Sequence, residues 1–353
     1  MYNTIIQQRC QEKVIKILQK KNLICDKLIV MKFIAASGRT FPMIEEFIAP
    51  HEYKCVTLAS HIRKKDEHIF IISKNDSVQS AEDIAGVIYF EKTLLHCIPN
   101  IETQTLSFPC QTRESSNEIV ESSSTMTNDV NLTMTIDLNP AMTELAQALL
   151  QFFEARKVFT ENKIKVINGE SIGTDFILSI LQTKSLEPQQ TNHYKLMTLD
   201  EYLLPPPEPL SCDDEIRRCN DNDFDSLFEL QKKYIVKEVA PANKQVSDLE
   251  CSASLKQILK NQLCFALYSD GEVVAKANTN AIGIHWVQLG GVYTHPLYRK
   301  NYYAWNLVYA ICCRIKKTSR KVCLFVKDKN NPALQLYHRI GFTEKCDFEI
   351  CYF

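Results

Sequence analysis

The residues with the most chemistry to offer lie between His285 and Gly341. An apolar run ending Gly290-Gly291-Val292-Tyr293-Thr294 leads through His295-Pro296-Leu297-Tyr298 into Arg299, Lys300, Asn301, Tyr302, Tyr303 and Ala304, where an amphipathic helix begins. A loop entering a helix N-terminus supplies backbone N–H groups and the positive end of a dipole, which suits a diphosphate, and Lys300 adds charge. His285 and His295 flank the same run and have the intrinsic pKa of a general base. Gln288, on the run itself, accepts no proton. Glu238, just past a helix ending at Tyr234, is a carboxylate candidate for that work. Farther on, Asn330 with Pro332 reads as a helix cap, and Ala333 and Tyr337 lie on the helix that follows.

The order of these features continues with an apolar strand, Val322-Cys323-Leu324-Phe325-Val326, and a closing pattern N-x-x-A-x-x-L-Y-x-x-x-G-F from Asn330 to Phe342. Over about Ile216 to Phe353 this resembles the acyl-CoA-binding half of the GNAT N-acetyltransferases. The resemblance implies acetyl-CoA as acyl donor, no metal, and direct transfer of acetyl to an amine, small molecule or protein, in a ternary complex. Such a reaction needs the pyrophosphate held, the thioester carbonyl polarised, the amine deprotonated and the leaving thiolate protonated. By resemblance, Arg299 to Ala304 hold the pyrophosphate, and Val292, Tyr293 and Thr294 pair with the pantetheine arm, Val292 offering its N–H to the thioester oxygen. Asn330 and Ala333 meet the cofactor arm, although Asn330 serves equally well as a plain cap. Tyr337 matches the general acid, and Glu238 stands in for the family's glutamate base, with His285 and His295 as alternatives.

The family's phosphate loop resembles R/Q-x-x-G-x-G/A. Arg299 and Ala304 fit, but the central glycine is Tyr302 and another common glycine position holds Lys300. Glycine lets backbone approach phosphate closely, so Tyr302 is expected to crowd the loop and Lys300 to offset part of the loss. The alternative reading is a catalytically degenerate GNAT fold acting as a CoA-binding or protein-interaction module. A third, the Fem-type ligases that resemble paired GNAT halves and use aminoacyl-tRNA, calls for a basic helical arm that the charge balance does not show.

The elements that would position these residues fall into two halves around Pro205-Pro206-Pro207-Glu208-Pro209, a stiff spacer. The resemblance implies a GNAT N-acetyltransferase domain over 211–353, with 205–210 the Pro-rich linker and 1–204 a degenerate GNAT-like or helical or α/β accessory domain. In the first half, helices are expected over Thr4–Lys21, Asp26–Ala36 and Phe41–Arg63, the last in one piece or two. Strands follow at 68–72, 84–91 and 93–98, then a polar, disordered insert near 101–137. A helix capped by Asn139-Pro140, a strand at 163–167, a helix at 171–182 and a strand at 194–199 complete it. The second half repeats that order: a helix at 223–237, strands at 263–269, 272–280 and 286–294, a helix from Ala304, a strand from Val322, a helix from Pro332 and a strand at 348–353. The expected architecture is therefore an α/β mixed sheet, two GNAT folds in tandem, with no phosphate loop in the first.

Composition sets outer bounds. At 353 residues with 45% hydrophobic and 24% charged side chains, the chain has material for two ordinary globular cores. A net charge of -1 recruits neither nucleic acid nor an anionic membrane, so neither is an expected partner. No run reaches the ~18 apolar residues of a spanning helix, and the N-terminal stretch lacks the pattern of a secretory signal. The 14 cysteines form no C-x-x-C and read as buried reduced thiols of a cytoplasmic protein rather than disulfides or zinc ligands.

Overall fold

The computed structural model describes residues 31–99, 140–240 and 245–353. The helix expected over Thr4–Lys21, the insert near 101–137 and the cap at Asn139 lie outside the described residues. Lys32–Ala35 is a strand, β1, where a helix through Ala36 was expected. Its backbone pairs antiparallel with Phe70–Ser73, and Phe33 and Ile34 are side chains that suit a pleated surface. Residues 41–63 form two helices, Phe41–Ile48 (α1) and Val56–Arg63 (α2), separated by a 3-10 segment, Ala49–Lys54, that contains Pro50. Strands β2 (Ile69–Ser73), β3 (Ile84–Phe90) and β4 (Thr93–Cys97) follow. Then come α3 (Pro140–Ala155), α4 (Val158–Glu161), β5 (Val166–Glu170), α5 (Ser171–Gln182) and β6 (Gln190–Leu199).

After the proline segment the chain forms β7 (Asp214–Arg218), α6 (Phe224–Tyr234) and α7 (Asp248–Asn261). Strands β8 (Cys264–Ser269), β9 (Glu272–Ile282) and β10 (Trp286–Thr294) lead to α8 (Tyr303–Lys316), β11 (Lys321–Lys327), α9 (Asn331–Ile340) and β12 (Phe342–Tyr352). Neither β7 nor α7 has a counterpart in the sequence reading. For α7 a signal was present: Ser247 and Glu250 cap each other's backbone at the helix start. The final strand begins six residues before its expected start at Phe348, because Gly341, at φ +113°, turns the chain straight out of α9.

The described strands form one twelve-stranded sheet in the order β1-β2-β3-β4-β5-β12-β6-β11-β10-β9-β8-β7. Read from its two ends, the order pairs β1 with β7, β2 with β8, and so on to β12 with β6. Only β4–β5 and β10–β11 run parallel, again at matching places; the other neighbours are antiparallel. The last strand of each half has crossed over. β6 lies between β12 and β11, while β12 lies between β5 and β6. Helices cover both faces: α3 and α5 pack with β1 to β5 in one core, and α1 and α2 build another on the opposite side of the same strands. In the second half, α8 and α9 pack on β6, β10 and β11, and α6 and α7 on β8.

A buried carboxylate ties the halves together. Glu52, wholly buried on the 3-10 segment, accepts the backbone N–H groups of Ile284 at 2.7 Å, His285 at 2.9 Å and Trp286 at 3.1 Å in the β9–β10 turn. Gly283 is needed beside it, since a Cβ there would meet Glu52 Oε1 at 2.3 Å. The cysteines among the described residues are free thiols, most of them buried.

Candidate active site

The site begins where two neighbouring strands part. β10 and β11 pair from Trp286–Lys321 to Leu289–Leu324, and there the ladder stops. β10 goes on to Thr294 beside β9, while Phe325 to Lys327 of β11 stay with β6. A bulge at Gly291-Val292 bends β10 at this point, between the pairs Gly290–Asn278 and Tyr293–Lys276. Gly291 takes φ +58°, and a Cβ on it would meet Asn278 Oδ1 at 1.8 Å, so glycine is required on both counts.

Below the opening the chain turns through His295 and a short 3-10 turn, Pro296–Tyr298, into α8. Arg299 donates from Nε to the Thr294 carbonyl at 3.2 Å and lies over the Tyr293 ring. Lys300 and Tyr302 have φ +71° and +56°. These are left-handed conformations natural to glycine, held here by a lysine and a tyrosine. The Tyr302 ring turns outward, 38% exposed and edge-on to Trp305. The first helical hydrogen bond runs from Asn306 N–H to the Tyr302 carbonyl, leaving the N–H groups of Tyr303, Ala304 and Trp305 without intrahelical acceptors. Tyr303 is tied elsewhere, its hydroxyl donating to Asp214 at 2.9 Å. The Thr294 hydroxyl and His295 Nδ1 are buried with no partner at the head of this loop. Such orphaned atoms are uncommon and ask for a ligand or ordered water.

On the other side of the opening stands α9. Asn330 caps it, its side-chain oxygen accepting the Ala333 N–H at 3.3 Å, so the carboxamide does at least the structural half of its two possible jobs. Tyr337 is buried against Phe342, and burial drives its hydroxyl well above the ordinary phenol range, with Tyr234, Cys312 and Glu238 adding to the effect. A hydroxyl so placed stays protonated until a base of real strength appears. Glu238 sits half-buried on a π-helical turn, Ile235–Val239, that extends α6. Its charge acts on Tyr337, Tyr234 and Tyr194 alike. Tyr337 and Glu238 thus lie within electrostatic reach of each other, and Val292 packs against the same core as Tyr337.

Other candidates fare differently. His285 is in the β9–β10 turn, at the far end of β10, with its N–H on Glu52. Gln288 is buried and accepts from Thr57 of α2 at 3.3 Å. His295 lies at the opening, Nε2 3.2 Å from Lys233 Nζ. Two residues had no place in the sequence reading. Tyr234, whose hydroxyl bonds to the Gly291 backbone, is pushed up to about 12 by burial. Lys276 is wholly buried on β9, and desolvation lowers it to about 8. A charged residue at an inward position of the alternating strand Val273 to Asn280 was the available signal for Lys276.

Residues 269–352 match the family model described as FR47-like protein. Over these residues the chain is similar to that GNAT-related family. No curated protein matches the sequence. Among solved structures, a Drosophila protein is 11% identical, with 92% of this chain and 99% of that one covered at a TM-score of 0.59. A GCN5-related N-acetyltransferase from Sphaerobacter thermophilus is 12% identical, with 90% and 94% covered at 0.49. A protein from Novosphingobium aromaticivorans described as a GNAT-family acetyltransferase is 16% identical over 47% of this chain and 65% of that one, at 0.37. The chain therefore spans less than two thirds of this last relative's length, and the Drosophila match extends a shared fold over nearly the whole molecule.

The first half has a matching parting of strands, and it is filled. β4 and β5 pair from Thr93–Val166 to Leu95–Asn168 and then separate. His96 occupies the gap, 4% exposed, with Nε2 3.0 Å from Thr174 Oγ1. A Cβ on Gly169 or Gly173 would come within 2.1 or 2.5 Å of its ring, so both glycines are shaped to the imidazole. Burial lowers His96 to about 4. Among the described residues no three His, Cys, Asp or Glu side chains gather as a metal set, and no helix is long and apolar enough to cross a membrane.

Proposed function

We propose that the chain is an acetyl-CoA-dependent N-acetyltransferase that passes acetyl directly to an amine. The carrying observation is the parting of β10 and β11 beyond Leu289 and Leu324, with the Gly291-Val292 bulge on one edge and Tyr337 and Glu238 beside it. The free N–H groups at the start of α8, with Arg299, Lys300 and Asn301 in the loop before them, receive the pyrophosphate. Tyr302 and Tyr303 contribute backbone rather than side chain. The pantetheine arm lies along Val292, Tyr293 and Thr294 and passes Asn330 and Ala333. Val292 N–H donates to the thioester oxygen as negative charge builds there during attack by the amine. Glu238 takes the amine proton, and Tyr337 gives its proton to the CoA sulfur as the C–S bond breaks. A raised hydroxyl pKa keeps that proton in place until the thiolate forms.

The mirrored strand order supports a tandem pair of GNAT folds with exchanged last strands, the site residing in 211–353, the linker in 205–210 and a supporting fold in 1–204. Its buried free thiols suit the reducing cytoplasm. Titration of full-length protein with acetyl-CoA in a calorimeter, then an amine panel read by thiol release, tests the proposal. Micromolar binding with turnover of any amine upholds it. The strained Lys300 and Tyr302 favour a second reading, a CoA-binding module without chemistry, which predicts binding but no turnover. No binding by folded protein defeats both.

A further inference from the structure

Lys276 is the buried charge that the acetyl-transfer steps above leave unused. Its Nζ donates to the Gly291 carbonyl at 3.0 Å and to Asn278 Oδ1 at 3.0 Å, and the Tyr234 ring lies 4.8 Å away. A lysine taken out of water costs several kcal/mol unless each N–H finds a partner, and here its partners converge on the β10 bulge. The Gly291–Val292 peptide is trans, so its C=O and N–H point in opposite directions. Because the carbonyl faces the Lys276 ammonium, the Val292 N–H points away from that ammonium. One peptide group thus has an ammonium on its oxygen and the proposed thioester site in front of its nitrogen.

We propose that Lys276 is a positioning residue for the thioester: it fixes the bulge and polarises the Gly291–Val292 peptide, so that Val292 N–H is aimed and strengthened as donor to the acyl oxygen. Hydrogen bonds to a charged donor are roughly twice as strong as neutral ones, and bonds in series through a peptide reinforce each other in a dry interior. The Gly291 backbone is also held by the Tyr234 hydroxyl, so the bulge is gripped from the α6 side by two groups. The inference rests on the acetyl-transfer reading. Its test needs no acceptor amine.

Acetyl-CoA carrying 13C at the thioester carbonyl is bound to full-length protein, and the carbonyl stretch is read by isotope-edited infrared difference spectroscopy. In the wild type the stretch falls below that of free acetyl-CoA. In Lys276→Met more than half of that shift is lost, while affinity stays within about threefold, since the loop proposed to hold the pyrophosphate is untouched. Lys276→Arg, which keeps a charged donor, recovers part of it. Should the methionine variant fail to fold, Lys276→Gln is read instead and is expected to fall between. A neutral variant that keeps the full shift, or a wild-type complex that shows none, overturns the role of Lys276 alone. Wild-type protein that binds no acetyl-CoA overturns the transfer reading and this inference with it.

Discussion

Replacing Tyr302 by glycine should stabilise this protein. Tyr302 sits at φ +56° and Lys300 at φ +71°, where an L side chain costs about 1–2 kcal/mol. Glycine removes that cost but loses about 0.5–1 kcal/mol of extra freedom on folding. The ring of Tyr302 lies edge-on to Trp305 and is already 38% exposed, so little packing is lost. The net gain is about 0.5–1 kcal/mol at each site, and about 1–2 kcal/mol together if the two near neighbours do not couple. For a chain of 353 residues the unfolding entropy near the midpoint is about 0.7 kcal/mol/K, so the double variant should melt about 1–3 °C higher. Asn301→Gly, between them and outside the positive-φ set, carries the entropy cost without the relief and should melt lower. Urea midpoints at constant m-value and scanning calorimetry both read this. Because the loop already has its glycine-like shape, Tyr302→Gly should leave acetyl-CoA affinity within about threefold, contrary to the crowding expected from the sequence. A Tyr302→Gly protein that melts as low as Asn301→Gly would refute the strain argument. A large gain in affinity would restore crowding.

Three further outcomes are expected. Tyr337→Phe should lower turnover by about a hundredfold or more while acetyl-CoA affinity holds, read by steady-state kinetics beside calorimetry; equal turnover removes Tyr337 as the acid. His96 has a folded pKa of about 4 against an ordinary 6.5, so the unfolded chain binds its proton first as pH falls. Its contribution is complete above about pH 6.5 and declines toward pH 4, so wild type should lose about 2.5 kcal/mol more than His96→Gln between pH 7.5 and 4.5 in urea unfolding. Glu52→Ala strands three backbone N–H groups in the β9–β10 turn and should cost about 3 kcal/mol or more, with Glu52→Gln milder; a loss under 1 kcal/mol in urea unfolding would mean that water replaces the carboxylate.

How far the sequence carried differs from place to place, for physical reasons. α9 and its surroundings were legible because cap, apolar stripe, tyrosine and terminal glycine all lie within thirteen residues and act locally. Strand β1 was not, since its four residues owe their conformation to a partner about forty positions away, which no local pattern records. The same holds for Glu52, an ordinary surface residue by type, whose buried nest is made by a turn more than 230 residues on. Tyr302 shows a subtler limit. Its identity argued against a glycine-shaped loop, yet the shape survives, because neighbouring contacts such as Tyr303 to Asp214 and Asn306 to the Tyr302 carbonyl hold the backbone against its own preference. Lys276 was visible as a charge on an apolar strand, but its meaning needed the bulge opposite.

The opening itself is a product of both halves. Beyond Leu324, β11 has lost β10, and what holds Phe325, Val326 and Lys327 is their pairing with Leu196, Lys195 and Tyr194 of β6. β6 belongs to the segment before the prolines, and it is also the strand on which β12 is laid, from Phe342–Leu199 to Tyr352–Gln190. Take β6 away and the far lip of the opening is an unpaired edge, with β12 stripped of one neighbour. Two strands can part only if each has somewhere else to bind, and β10 has β9 while β11 has β6. The residues that resemble a cofactor site are therefore concentrated in the second half, but the gap that gives them something to enclose is held open from the first.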